Sequence, residues 1–109
     1  MRKINKILKE HWNTNTPVKI SNSAINTEFE NDVLTTTLTL FNNVIARKTY
    51  TTSTTPDKTE FTLAGWDTLT TRSRLKEVLG LSLFKHNSQL LFSHKDNVFK
   101  IESNQWYTL

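Results

Sequence analysis

Three basic residues that follow a pair of threonines are the part of this sequence best suited to bind a ligand. Arg72, Arg74 and Lys76 come shortly after Thr70 and Thr71. Free amides at the start of a helix, hydroxyl groups and nearby arginines together bind anions such as phosphate. We therefore predict an anion site at the two threonines, with the three basic residues as contacts. The alternative is a capped amphipathic helix that only closes a sheet.

The distribution of charge along the chain indicates a second basic region. The formal net charge is +4, yet residues 20–46 hold three carboxylates and no Lys or Arg. Arg47 and Lys48 come directly after this acidic stretch. A segregated basic surface attracts nucleic acid or an acidic protein, so we add these two residues to the predicted contact set. The alternative is that all of these charges are ordinary solvated surface groups.

The remaining titratable groups do not predict a reaction. His86 and His94 are expected in turns near opposite ends of one hairpin arm, which argues against a shared metal ion. Three carboxylates alternate along a strand face, but no glycine turn or fourth acidic ligand accompanies them. They are Glu28, Glu30 and Asp32. Because nucleophile, phosphate-loop and deaminase motifs do not occur in the sequence, we expect no enzyme, no metal and no cofactor.

Length and composition predict one folded domain over residues 1–109. The chain has 109 residues, three Trp, six Phe and two Tyr, which supply large side chains for one modest core. The absence of Cys excludes disulfides and thiolate-bound zinc. No apolar run approaches the roughly 18 residues that a membrane span needs. We therefore expect no membrane contact and a cytosolic location.

The first residues have the pattern of an amphipathic helix. Ile4, Ile7, Leu8 and Trp12 recur at spacings of three and four, with basic residues between them. This pattern predicts a helix over residues 1–12 that packs its apolar stripe on the rest of the domain. The alternative is a basic helix that lies on a membrane or in a partner's groove.

Residues 33–63 read as a hairpin followed by a third strand. Apolar residues and threonines alternate from Val33 onward, which is typical of a strand with one buried face. Asn42 and Asn43 suit a tight turn, because Asn tolerates positive φ. A two-residue loop places Leu40 opposite Ile45 and Leu38 opposite Arg47. A three-residue loop places the same two leucines opposite Val44 and Ala46, which suits a buried face better, and both registers stay open.

Residues 66–80 predict a junction between a strand and a helix. Trp66 is large enough to anchor the strand exit in the core, and Thr68 or Thr70 can cap the following helix. Gly80 is placed for a left-handed stop, so we expect the central helix at about 70–80. Short β-prone segments over residues 81–109 then predict a β-meander. The whole is an α+β fold with a small antiparallel sheet.

Two segments carry a resemblance to a known family. They read L-x-L-F-N-N-x-I-A over residues 38–46 and G-W-x-T-x-T-T-x-x-R-L over residues 65–75. Together they resemble small tailed-bacteriophage proteins with an L-F-G-N-x-I-A hairpin and a G-W-x-T-x-T-T-x-x-R-L-N helix. Asn42 stands where that family has glycine, and Lys76 stands where it has asparagine. The resemblance implies phage origin and action inside an infected cell, and it implies no reaction.

Two functional hypotheses from different classes follow. The first is a non-enzymatic phage protein in the host cytoplasm that binds nucleic acid through the basic contact set, with affinity that falls steeply with salt. The second is a protein that binds a host enzyme or defence protein and inhibits or redirects it, with an exposed aromatic as anchor. The candidate anchors are Trp12, Trp106 and Tyr107. A third hypothesis is a minor structural or assembly component, which would form a symmetric oligomer.

Overall fold

The computed structural model describes residues 2–109 and contains two helices and nine strands in that range. Helix α1 spans Lys3–Thr14 and helix α2 spans Leu69–Leu79. The strands in chain order are β1 (Val18–Ile20), β2 (Ser23–Glu30), β3 (Val33–Leu40), β4 (Asn43–Tyr50), β5 (Lys58–Phe61), β6 (Ser82–His86), β7 (Gln89–His94), β8 (Asn97–Lys100) and β9 (Tyr107–Thr108). The predicted α+β class is confirmed.

Helix α1 forms where the apolar spacing predicted it and continues slightly further. Leu8 and Trp12 are buried, while Ile4 packs on the core from its margin. The helix ends at Asn15, which adopts left-handed geometry with φ of 55°. The end therefore lies beyond the predicted residue 12, because asparagine tolerates this conformation and Thr16 and Pro17 follow it. The start of the predicted helix, residue 1, lies outside the described residues.

Two antiparallel sheets build the rest of the fold. The larger sheet has the order β1-β2-β3-β4-β5-β9, and the smaller has the order β6-β7-β8. The prediction of a meander over 81–109 is wrong at its end, since Tyr107 in β9 pairs with Phe61 in β5. The strand face predicted at the three carboxylates holds for Glu28 and Glu30, while Asp32 lies in the following turn. The rest of β2 was not predicted, because most of its side chains are polar and only its first half is buried. Side chains of both sheets and both helices share one core.

The β3–β4 hairpin turns one residue earlier than predicted. Phe41 and Asn42 both have positive φ, at 50° and 65°, so they are the central residues of a two-residue loop. A register shift beside Leu38 then places Leu38 opposite Ala46 and Leu40 opposite Asn43. Neither predicted register holds along the whole hairpin, because Ile45 is an extra residue that forms a β-bulge in β4. The bulge buries both Ile45 and Ala46.

Helix α2 confirms the predicted central helix. Its N-cap is Thr68, whose hydroxyl oxygen accepts from the Thr71 amide at 3.1 Å. Gly80 closes it in left-handed geometry with φ of 74°. Leu75 and Val78 are buried against the core. The helix thus carries residues of the second sequence motif along one side of the larger sheet, where it contacts α1 and β4.

Candidate functional site

The two sequence motifs meet in space along one apolar groove of about 410 Å³. The β3–β4 hairpin supplies one part of its lining, and the segment that runs from β5 into α2 supplies the other. We call this feature the motif groove. Its lining residues are Leu40, Phe41, Asn43, Ile45, Leu63, Trp66, Thr68, Thr70 and Thr71. Within residues 2–109, no Lys, Arg, Asp or Glu lines the motif groove.

Phe41 enters the groove lining from a strained backbone. Its φ of 50° is in the left-handed region, which costs an ordinary L-residue roughly 1–2 kcal/mol. Bulky aromatic residues rarely occur there, and such outliers concentrate at functional sites. The side chain is also 65% exposed, so burial does not compensate the strain. The hairpin therefore holds an aromatic ring at the surface at a cost to its own stability.

Trp66 is presented in a similar way. Ala64 and Gly65 precede it with φ of 54° and 82°, and the Trp66 amide donates to the Leu63 carbonyl at 2.8 Å. The Gly65 amide donates to the Ser103 carbonyl at 2.8 Å, which fixes this turn to the C-terminal segment. The prediction that Trp66 anchors the strand exit in the core is wrong, because its side chain is 61% exposed. The core at this point is filled by Leu63 instead.

A side-chain cap occupies part of the predicted anion site at the start of α2. Thr71 is buried, its amide donates to the Thr68 hydroxyl, and the two hydroxyls lie 3.0 Å apart. Thr70 is half-buried and lines the motif groove. The cap therefore uses the Thr71 amide and the Thr68 hydroxyl, which are two of the groups that an anion would contact. The threonines contribute polar edges to an apolar groove rather than a phosphate cradle.

Arg74 is a structural residue and not a surface contact. Only 2% of it is exposed, and its guanidinium donates to Asn5 Oδ1 at 2.6 Å and to Ser23 Oγ at 3.0 Å. Asn5 also donates to Ser73 at 3.1 Å and to Glu77. Burial lowers the pKa of Arg74, and Glu77 acts in the opposite direction. The prediction that Arg74 contacts a ligand is wrong because these bonds join α1, α2 and β2.

Lys48 and Trp12 are removed from the predicted contact surface for a related reason. Lys48 is only 5% exposed, and its ammonium donates to the Trp12 carbonyl at 2.7 Å. The same ammonium lies 4.4 Å from the centroid of the Trp12 ring. The Trp12 ring is buried in the core, so it cannot anchor a partner as predicted. The pair instead closes the C-terminal end of α1 against the sheet.

Arg47 does not line the motif groove and is held by two neighbours. Its Nε donates to the Glu60 carboxylate, and its guanidinium carbon lies 4.1 Å from the centroid of the Trp106 ring. Lys58 approaches the other oxygen of Glu60 at 3.5 Å. The hydrogen bond from Arg47 lowers the pKa of Glu60, although burial opposes this shift. Trp106 remains partly exposed under the arginine.

The other predicted contacts are dispersed. Arg72 Nε lies 3.2 Å from Asp67 Oδ1, but the N–H does not point at the oxygen, so the contact is ionic without a hydrogen bond. Lys85 approaches the second oxygen of Asp67 at 2.9 Å. Lys76 is exposed. The Tyr107 hydroxyl accepts from the Glu102 amide at 2.7 Å, and this tyrosine is half-buried.

The described residues hold neither a metal cluster nor a membrane-spanning helix. Over residues 2–109, no group of three His, Asp or Glu side chains is arranged to hold a metal ion. In the same range, neither helix combines the length and the apolar character needed to cross a bilayer. His86 and His94 lie at the ends of β6 and β7 rather than in turns, and His94 stacks on Phe92 with ring centroids 5.5 Å apart.

Comparison with known proteins gives one assignment. No curated protein and no solved structure matches the chain significantly. A family model described as Kyanoviridae Gp96 protein matches residues 1–108, which is nearly the whole chain. The phage origin implied by the two motifs is confirmed by this match. The chain therefore belongs to the Kyanoviridae Gp96 protein family.

Proposed function

We propose that this protein is a non-enzymatic phage protein that acts in the host cytoplasm by binding another protein through the motif groove. The observation that carries the proposal is the pair of exposed aromatic rings, Phe41 and Trp66, held by positive-φ turns beside an uncharged apolar groove. Protein interfaces concentrate their binding energy in such aromatic residues around a desolvated pocket. The partner presents an apolar side chain that enters the groove.

The nucleic-acid hypothesis receives less support from the same geometry. Two of its five basic residues are buried, two are engaged by carboxylates, and one is exposed. Exposed aromatics also stack on bases, but sites that bind single strands combine stacking with a positively charged groove that follows the phosphates. The motif groove is lined by neutral residues. Phe41 and Trp66 therefore fit an apolar protein side chain better than a nucleotide.

The test combines affinity capture from infected cells with measurement on purified components. Lysate with and without nuclease treatment is passed over wild-type protein, Trp66→Ser and Leu69→Ser, and each retained protein is then purified and titrated. Leu69 is a matched control, because it is an exposed apolar residue near Trp66 that does not line the groove. Trp66→Ser should weaken binding by at least ~30-fold, the effect expected of a central aromatic anchor.

Three results separate the hypotheses. Equal affinity of Trp66→Ser and wild type for the retained protein would exclude the groove as the binding site. Recovery of nucleic acid alone, lost after nuclease treatment, would favour the first hypothesis instead. A dissociation constant that rises steeply with salt would do the same, because phosphate contacts release counterions and apolar contacts do not.

A further inference from the structure

The β2–β3 hairpin exposes a large apolar side chain at its tip. Phe29 is 73% exposed, although it lies on the same face of β2 as the buried Ile25. Helix α1 covers this face only as far as Asn15, whose side chain accepts from the Thr36 hydroxyl at 2.9 Å. The pair of Phe29 and Leu34 lies beyond that point. The face of the sheet that packs on the core thus extends beyond helix α1, and the side chain at its end is the exposed Phe29 ring.

The charged residues nearest to Phe29 in the sequence are all acidic. Glu28 and Glu30 flank Phe29, and Asp32 occupies the turn with φ of 63°. We call residues 28–32 the acidic tip. Residues 20–46 hold no Lys or Arg, while the whole chain carries +4. The acidic tip therefore carries the sign opposite to the net charge of the chain.

The motif groove lies at the opposite end of the same sheet. Strand β3 begins at Val33 beside the acidic tip and ends at Leu40 in the groove lining. Its eight residues span about 25 Å at roughly 3.3 Å per residue. A chain therefore cannot place its own Phe29 in its own groove. Only a second copy can bring the two features together.

The motif groove has the size to receive the Phe29 ring, and an exposed lysine lies beside it. A cavity of roughly 150 Å³ is enough to bind benzene, and the motif groove measures about 410 Å³. Lys19, which is exposed, lines the neighbouring depression together with Phe41 and Asn42. A phenyl ring in the groove brings its flanking carboxylates to this side of the molecule. Opposite charges then meet beside an apolar contact, as in specific interfaces.

We propose that Phe29 of one copy inserts into the motif groove of the next copy, so that the protein associates head to tail. This inference rests on the proposed function, because it names the protein that occupies the groove. The contact joins two different surfaces, and each added copy leaves one free tip and one free groove. Such heterologous contacts form rings where the rotation closes and filaments where it does not.

The experiment is sedimentation velocity of the full chain, followed by mixing of two variants. Wild type should show a mass that rises between about 5 and about 500 µM, as mass action requires. Phe29→Ser and Trp66→Ser should each weaken association by at least ~30-fold. An equimolar mixture of the two should form a dimer that grows no further, because it contains one intact tip and one intact groove. Leu69→Ser should associate like wild type.

Each other outcome overturns the inference. Wild type that stays monomeric across this range excludes head-to-tail association, and so does a mixture that fails to dimerise although both variants show native circular dichroism. Charge reversal by Glu28→Lys with Glu30→Lys provides a second test, because it should also prevent association. If wild type stays monomeric and Trp66→Ser no longer binds the protein retained from lysate, head-to-tail association is refuted but the proposed function stands. Association and retention both unaffected by Trp66→Ser would refute both proposals.

Discussion

The Arg74 guanidinium donates to Asn5 Oδ1 over 2.6 Å, and this hydrogen bond joins the two helices across a buried site. Asn5 is fully buried and lies on the packed side of α1. Its amide nitrogen reaches Ser73, so the pair is held in both directions. Helix packing in this protein therefore depends on a polar network as well as on leucine contacts. The arginine of the second motif has a structural role.

Replacement of Arg74 should destabilise the protein strongly. Arg74→Met keeps much of the side-chain volume but leaves Asn5 and Ser23 without a donor in a buried site. We expect a loss of about 2–4 kcal/mol in the free energy of unfolding, measured by urea denaturation. Lys76→Met is the matched control, since Lys76 is exposed on the same helix and should change stability by less than ~0.5 kcal/mol. Equal effects of the two variants would contradict the structural role.

The sequence was sufficient to locate the helices and most strands because periodicity reports burial directly. The spacing of Leu8 and Trp12 predicted α1, and the stop at Gly80 predicted the end of α2. Arg74 was misplaced because a basic residue on a helix is usually solvated, and its partners lie in distant parts of the chain. Asn5 was missed for the same reason. Sequence spacing gives the face of a helix, but it does not give the polar partner that allows a charge to be buried.

Phe41→Asn should raise stability and weaken binding at the groove. Asparagine adopts positive φ at low cost, so relief of the turn should increase the free energy of unfolding by about 1 kcal/mol. The same change removes an exposed aromatic ring from the groove lining. We expect weaker binding of the retained protein and weaker self-association, despite a higher melting temperature. Thermal unfolding and sedimentation velocity on one sample measure both quantities.

The Asn42→Gly variant distinguishes the contribution of the turn conformation to binding from the contribution of the Phe41 ring. Glycine is favoured at the second central position of this turn type, and Asn42 has φ of 65°. The variant should gain stability, by a few tenths of a kcal/mol, while Phe41 stays in place and binding is retained. If Asn42→Gly lost binding as Phe41→Asn does, the turn conformation and not the ring would be the determinant.

The motif groove could not be predicted from the sequence, for a different physical reason. Phe41 looked like the last residue of a strand, and the two asparagines after it looked like the turn. The bulge at Ile45 shifts the loop by one residue and places the aromatic ring in it. Trp66 likewise looked like a core residue, since large aromatics usually are. Only the structure shows that both side chains are exposed, and that Phe41 has positive φ while Trp66 follows two positive-φ residues.

Lys48→Met should loosen the end of α1 without unfolding the sheet. Methionine fills the space of the lysine stem but cannot donate to the Trp12 carbonyl or place a charge over its ring. The expected loss is about 1–2 kcal/mol in the free energy of unfolding. Hydrogen exchange should increase in the last turn of α1 and remain unchanged in α2. Lys100→Met, at an exposed position on β8, is the control and should affect neither helix.

Glu60→Gln should destabilise the protein in a pH-dependent way. The Arg47 hydrogen bond holds the pKa of Glu60 below its ordinary value of 4.5. A carboxylate with a lowered native pKa stabilises the fold above its unfolded pKa, and this contribution disappears as pH falls through the native pKa. The difference between wild type and variant should therefore be about 1 kcal/mol at pH 7 and approach zero in acid.

Urea denaturation from pH 7 down to about pH 3 measures this difference, provided that both proteins unfold reversibly. Glu10→Gln is the control, because it removes the same charge from the exposed side of α1, outside the pair with Arg47. A gap between wild type and Glu60→Gln that stays constant or widens in acid would contradict the lowered pKa. Convergence of the two curves would show that the Arg47 contact operates through the ionised carboxylate, since protonation leaves the glutamate no better an acceptor than glutamine.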